Sequence, residues 1–240
     1  MKLLKAMAIA FSIYSKIPVP QFEWKGGGIG LFFFGWAVLC EKFAVGNVCY
    51  ALIGAAIPLM ISGGFHVDGY MDTMDAFHSY QSREKKLEIL KDSHIGAFAA
   101  IMLALYYMID IAAISEIHTQ KAVSALAAVF FLARCFSGIA VMTLQPAKKE
   151  GLLYTFASSA QKVRVKAALY FQTVLCVVLM LLVSGWYGAA AIGAALLSFF
   201  YFKKKSYKEL GGITGDTAGF FVTVCEAAAA AAVAVAGYFL

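Results

Sequence analysis

Three carboxylates, Asp68, Asp72 and Asp75, stand in the stretch Gly63-Gly64-Phe65-His66-Val67-Asp68-Gly69-Tyr70-Met71-Asp72-Thr73-Met74-Asp75, directly after a long apolar segment. Steps of four and then three residues, at about 100° per residue, put all three on one helical face within an arc of roughly 60°. Like charges so close repel unless something neutralises them. A solvated polar face on a loop helix is the competing reading. Tyr70, Met71, Met74 and Phe77 are apolar, however, so the helix is amphipathic and suited to pack at a membrane surface. Unpaired carboxylates in that setting are costly. Oxygen ligands with few thiols or imidazoles suit a hard cation, and Mg²⁺ is usually held by a few carboxylates together with substrate phosphates. The expectation is a Mg²⁺-dependent phosphate site with Asp68, Asp72 and Asp75 as metal ligands.

The elements that must position this cluster are membrane spans. Of the 240 residues 62% are hydrophobic and only 14% charged, with a mean hydropathy of +0.77. A soluble domain carries about a quarter charged residues. The expected fold is an all-α, polytopic integral membrane bundle. Residues 1–240 form one membrane-embedded domain, since no Pro-, Ser- or charge-rich linker divides the chain. Candidate spans are 26–40, 43–63, 95–114, 122–144, 166–184, 187–202 and 217–240, about six or seven transmembrane helices with five as a further alternative. The first and sixth are short and suit tilted partners or a re-entrant pair.

Lys2 and Lys5 precede an apolar run from Ala6 to Tyr14 that ends in Lys16-Ile17-Pro18-Val19-Pro20, without a small-residue cleavage site. It reads as a retained interfacial or half-inserted helix. The five cysteines lie in apolar segments without C-x-x-C spacing and read as packing residues. The net charge of +6 comes without an aromatic-interleaved basic platform, which argues against nucleic acid.

The basic residues report topology instead. If the loop 64–94 is cytoplasmic, so are the N-terminus and the loops 145–165 and 203–216. That side then carries all but three of the 20 Lys and Arg residues, the exceptions being Lys42, Lys121 and the intramembrane Arg134. The positive-inside rule predicts this asymmetry. The Asp cluster thereby shares one face with Lys91-Asp92-Ser93-His94-Ile95-Gly96, Lys148-Lys149-Glu150-Gly151 and Gly211-Gly212-Ile213-Thr214-Gly215-Asp216-Thr217.

The last of these places three glycines before a helix, with Asp216 or Thr217 suited to cap it. It reads as a phosphate-contacting loop or as an ordinary turn between spans. Arg134 and Glu226 both lie about 14 Å deep at ~1.5 Å rise per residue, and pair if their helices are neighbours. The alternative has Arg134 facing a phosphate in a wet cavity. His66 and His78 flank the cluster, and either suits a base or an orienting group. No histidine pair has zinc-site spacing.

These residues resemble the adenosylcobinamide-GDP ribazoletransferase, or cobalamin synthase, family over most of the chain. Its Phe-x-x-x-x-Lys/Arg-Ile-Pro-Val-Pro element is matched by Phe11 to Pro20, and its Gly-Gly-x-His-x-Asp-Gly-x-x-Asp-Thr-x-Asp motif by Gly63 to Asp75. Leu87 to Gly96 match Leu-x-Ile-x-Lys-Asp-Ser-x-Ile-Gly. Arg134 with Lys148 to Leu152, and Gly211 to Asp216 with Glu226, match two further elements. Ala76 and His94 depart from the Gly and Arg frequent in the family.

The resemblance implies a multi-pass enzyme of the bacterial cytoplasmic (inner) membrane with its active site on the cytoplasmic face. Alpha-ribazole or its 5′-phosphate attacks the phosphate attached to adenosylcobinamide in its GDP-activated form, and GMP leaves, with Mg²⁺ required. Its partners are then the corrinoid substrate, alpha-ribazole (phosphate) and the lipid bilayer, with room for a homo-oligomer or association with other cobalamin-assembly enzymes. On that footing Asp68, Asp72 and Asp75 serve metal and diphosphate. Asp92 and Asp216 are further ligands or the base, with His66 competing for the base role. Arg83, Lys91 and Arg134 are phosphate contacts, beside the Gly215-Asp216-Thr217 loop.

Two rivals remain. A CDP-alcohol phosphatidyltransferase-like enzyme also clusters aspartates, but its Asp-Gly-x-x-Ala-Arg pattern is absent, since Gly69 is followed by Tyr70-Met71-Asp72-Thr73. An ion- or proton-coupled transporter would use Asp110, Arg134 and Glu226, and would show inverted repeats or broken helices.

Overall fold

The computed structural model describes residues 28–148 and 162–239. The retained N-terminal helix and the Phe11–Pro20 element lie outside these residues, as do Lys149 to Leu152. The described residues form helices α1 (Gly28–Lys42), α2 (Asn47–Ser62), α3 (Phe65–His78), α4 (Arg83–Ile89), α5 (Ala97–Ile114), α6 (Gln120–Thr143), α7 (Lys162–Ser184), α8 (Trp186–Leu210) and α9 (Gly215–Gly237). The all-α membrane bundle expected from hydropathy is what folds.

Helices α5, α6, α7 and α9 are each long and apolar enough to cross a membrane, and the bent pair α2–α3 makes a fifth if counted as one span. The expected six or seven also counted α1 and α8. Helix α1 has 15 residues, about 22 Å at 1.5 Å per residue, short of the ~30 Å hydrocarbon core. Helix α8 runs on to Leu210, so Lys203 to Glu209 are helical, where a cytoplasmic loop was expected to start. Its last turns are held by Glu209, which accepts from Lys86 of α4 at 2.5 Å and from Lys205 at 3.0 Å. Burial pushes the Glu209 carboxyl up, but these two ammonium groups outweigh it and hold it below its usual range.

Helices α6 and α9 are the axis of the bundle: 72% of each apolar window is buried, against 28% for α5 and 33% for α7. The peripheral pair turns its apolar side chains outward, as lipid requires. Helix α9 packs on α8, α3, α6 and α5. Its inner face is Phe220, Phe221, Val222, Cys225, Ala229, Ala230 and Val233, all fully enclosed. Midway along the axis, Arg134 of α6 donates to Glu226 of α9 at 2.5 Å and to the Phe130 carbonyl. Both side chains are buried. Of the two readings of Arg134, the ion pair is the one the structure holds.

Between α2 and α3 the chain bends by 95°. Gly63 (φ 64°) and Gly64 (φ 81°) make the bend, two consecutive left-handed residues that only glycine adopts cheaply. Helix α3 then lies against the start of α9. A Cβ at Gly69 would stand 2.8 Å from the Asp216 carbonyl oxygen and 3.0 Å from its Cα.

Two stability outcomes follow. Arg134→Met leaves Glu226 buried without its partner and is expected to cost about 3–5 kcal/mol, most of it regained in Arg134→Met/Glu226→Leu. Gly69→Ala, which forces α3 off α9, is expected to cost about 1–3 kcal/mol, whereas Gly193→Ala, with open space around it, serves as control. Thermal unfolding of detergent-purified variants measures both; equal losses in the single and double charge variants would contradict the first.

Candidate active site

Helix α3 turns His66, Gly69, Tyr70, Thr73, Met74, Ala76 and Phe77 into the protein. Tyr70 stacks on Phe220 of α9 at 5.9 Å, Phe77 meets the same ring edge-on at 5.7 Å, and the Tyr70 hydroxyl donates to the Met102 carbonyl of α5 at 3.0 Å. The remaining face carries the carboxylates, Asp68 exposed and Asp72 and Asp75 half-buried.

The close approach at Gly69 brings Asp216 of α9 into this group. Partial burial, and then the charges of Asp68, Asp216 and Asp75, push the Asp72 carboxyl up to about 6. A carboxyl raised by burial first and by three like charges besides marks a site short of positive charge. Lys148 also acts electrostatically on Asp216, while its ammonium donates to the Leu87 carbonyl at 2.8 Å. Sequence reasoning passed over Lys148, although it stood in the quoted basic motif.

Helix α9 starts differently from expectation. The cap is Thr214, not Asp216 or Thr217: its hydroxyl accepts from the Thr217 amide at 3.1 Å, and the Thr217 hydroxyl answers the Thr214 amide at 2.8 Å. The signal was a Thr-x-x-Thr spacing before an apolar run. With the cap supplied, Asp216 stands in the first turn, 3.4 Å from the Thr214 hydroxyl, and Gly215 has open space beside it. The loop ahead is braced from the α6 end: Ile213 donates to the Gln145 carbonyl at 2.9 Å, and Ala147 donates to the Ile213 carbonyl at 2.8 Å.

Asp75 has other partners. Its Oδ2 accepts from the Gly96 amide at 2.7 Å and its Oδ1 from the Ala99 amide at 2.8 Å, at the N-terminus of α5.

The other expected residues are dispersed. His66 lies two residues before Asp68, about 200° round the helix, and is enclosed among Ser62, Tyr106, Arg134 and Glu226. Neither it nor the ion-paired Arg134 joins the carboxylates, and the phosphate role for Arg134 gives way to the ion pair. His78 stacks on Phe98 at 5.3 Å. Asp92 is exposed and holds His94 at 2.6 Å, each favouring the other's charged form. Lys91 is exposed in the same turn. The Arg83 guanidinium lies against Gly211, where a Cβ would overlap it, and reaches the Ala147 carbonyl at 3.5 Å, placing it beside the segments 145–147 and 211–213 at the site's rim.

Among the described residues no three His, Cys, Asp or Glu side chains form a compact cage for an ion. Mg²⁺ does not need one: one or two carboxylates, water and substrate phosphates complete its octahedron. Asp68, Asp72 and Asp216, hard oxygen donors in mutual repulsion, fit that kind of site.

Comparisons with known proteins identify the family. The family model described as cobalamin-5-phosphate synthase matches residues 6–234. A relative from Lachnoclostridium phytofermentans named adenosylcobinamide-GDP ribazoletransferase is 41% identical, covering 98% of this chain and 95% of its own. Relatives of the same name from Clostridium botulinum (32% identical, 93% of this chain, 94% of its own) and Mesorhizobium japonicum (29%, 95% and 92%) are similar along the same length. No solved structure matches. The chain belongs to the cobalamin-5-phosphate synthase family.

Proposed function

We infer that this protein is an adenosylcobinamide-GDP ribazoletransferase, which joins alpha-ribazole or its 5′-phosphate to adenosylcobinamide-GDP and releases GMP. The observation that carries the reading to particular atoms is the meeting of Asp68 and Asp72 on α3 with Asp216 on α9. Mg²⁺ held there would neutralise the diphosphate and stabilise departing GMP. Asp68 and Asp72 are the ligands, and the start of α9 bounds the phosphates. Lys148 and Arg83 supply positive charge at the rim made by residues 145–147 and 211–213. Asp216 is assigned the base that takes the proton of the attacking hydroxyl. Its competitors are placed worse, His66 enclosed beside Arg134 and Asp92 paired with His94 at the surface.

The basic residues of α4 and of the end of α8 lie on the side of the carboxylates, which supports a cytoplasmic active site. The transporter reading gains the bent α2–α3 pair, but its key cation, Arg134, is tied to Glu226.

Detergent-purified protein is expected to release GMP from adenosylcobinamide-GDP plus alpha-ribazole phosphate only with Mg²⁺, and Asp72→Asn to lose roughly 100-fold or more in kcat/KM. Turnover undiminished by chelator would sink the metal assignment. Uptake by proteoliposomes without any GMP release would favour the transporter.

The pH dependence carries a sign. Below about 6 the Asp72 carboxyl is protonated and gives up the cation, so Mg²⁺ affinity falls up to about tenfold per pH unit beneath that point and levels off above it. Asp68→Asn removes a like charge, so its break should move to lower pH. A break that stays put or rises would show that Asp72 is not the group titrating.

A further inference from the structure

The three carboxylates of α3 are not equivalent. Helix α5 begins at Gly96 with no side chain of its own to cap it, and the first N–H groups of a helix need acceptors from elsewhere. Asp75 supplies two, one oxygen to the Gly96 amide at 2.7 Å and the other to the Ala99 amide at 2.8 Å. A Cβ at Gly96 would stand 2.5–2.7 Å from the three carboxylate atoms, so glycine there is what admits the group. The positive end of α5 favours the charge as well. Turning Asp75 toward a cation would strip two charge-assisted bonds from the first turn of a membrane span.

We propose that Asp75 is not a metal ligand but a positioning residue, whose carboxylate caps α5 from α3 and so sets the height and tilt of Asp68 and Asp72 above the bundle. The proposal rests on the metal site assigned to Asp68 and Asp72. It divides the motif into two carboxylates that face the reaction and one that faces the scaffold. Helix α3 is then held at three places: the Gly63-Gly64 bend, the Gly69 contact with α9, and the Asp75 cap on α5.

The test compares the full chain with Asp72→Asn, Asp75→Asn, Asp75→Ala and Gly96→Ala. Mn²⁺ binding is read from the free-ion paramagnetic resonance signal, and backbone protection at residues 96–99 from hydrogen exchange. Asp75→Asn should keep Mn²⁺ affinity within about twofold, whereas Asp72→Asn should lose about tenfold or more. Asparagine also caps helices well, so Asp75→Asn should retain far more kcat than Asp75→Ala, with KM little changed in both. Exchange at 96–99 should accelerate about tenfold in Asp75→Ala and Gly96→Ala and stay unchanged in Asp72→Asn. Loss of Mn²⁺ affinity in Asp75→Asn to match Asp72→Asn would overturn the proposal, as would unchanged exchange in Asp75→Ala. If the unaltered chain binds no Mn²⁺, the metal site itself fails, and exchange alone decides whether Asp75 is the cap.

Discussion

The backbone of α3 touches the backbone of α9 at Gly69, and the site exists because of that contact. Two helices that each bring negative charge to one point repel, so their approach needs an opposing force. It comes from beneath the carboxylates, where Tyr70 and Phe77 close on Phe220. Aromatic pairs of this kind contribute on the order of 0.5–1.5 kcal/mol each beyond the area they bury. Gly219 lets the His66 backbone approach as well. The repulsion is therefore concentrated at the rim, where a cation can relieve it, while the apolar contact below keeps the two elements together without one.

Polar side chains in this bundle are sorted by depth. The Arg134–Glu226 pair ties the two axial helices in the apolar interior, and Lys86–Glu209–Lys205 ties α4 to the end of α8 near the surface. Both sets bring opposite charges together and hold helices to one another, whereas Asp68, Asp72 and Asp216 bring like charges together. Enclosure of a charged residue in a membrane protein is thus an ambiguous sign of chemistry. Arg134 is among the most buried charged groups of the described residues, yet its Nη1 is bound to Glu226 and to the Phe130 carbonyl of its own helix.

Much of this was readable from residue types and spacing. The spans came from hydropathy, the amphipathic α3 from its alternating aspartates and apolar residues, and the carboxylate chemistry from the four-then-three step. What spacing could not supply was partnership. Asp72 and Asp75 look alike in a helical projection, yet one meets Asp216 and the other meets amides of α5, because α5 happens to begin beside the last turn of α3. The same limit applied to Thr214, whose capping role depends on where the helix starts, and to α8, whose hydropathy ends eight residues before its hydrogen bonds do. Hydropathy measures preference for lipid, while Lys and Glu remain good helix formers, so the helix continued into water.

Helix α9 carries six consecutive alanines, Ala227 to Ala232, below Glu226. Alanine has no rotamers to lose when it is buried, so this stretch docks into the bundle at almost no cost in side-chain disorder. Most of its neighbours must give up conformational freedom to pack; this stretch presents a nearly smooth rod instead. Its placement therefore depends little on thermal exchange among side-chain states. The half of α9 beyond Glu226 thus docks on backbone and methyl groups, whereas the half that carries Asp216 packs through Phe220, Phe221 and Val222.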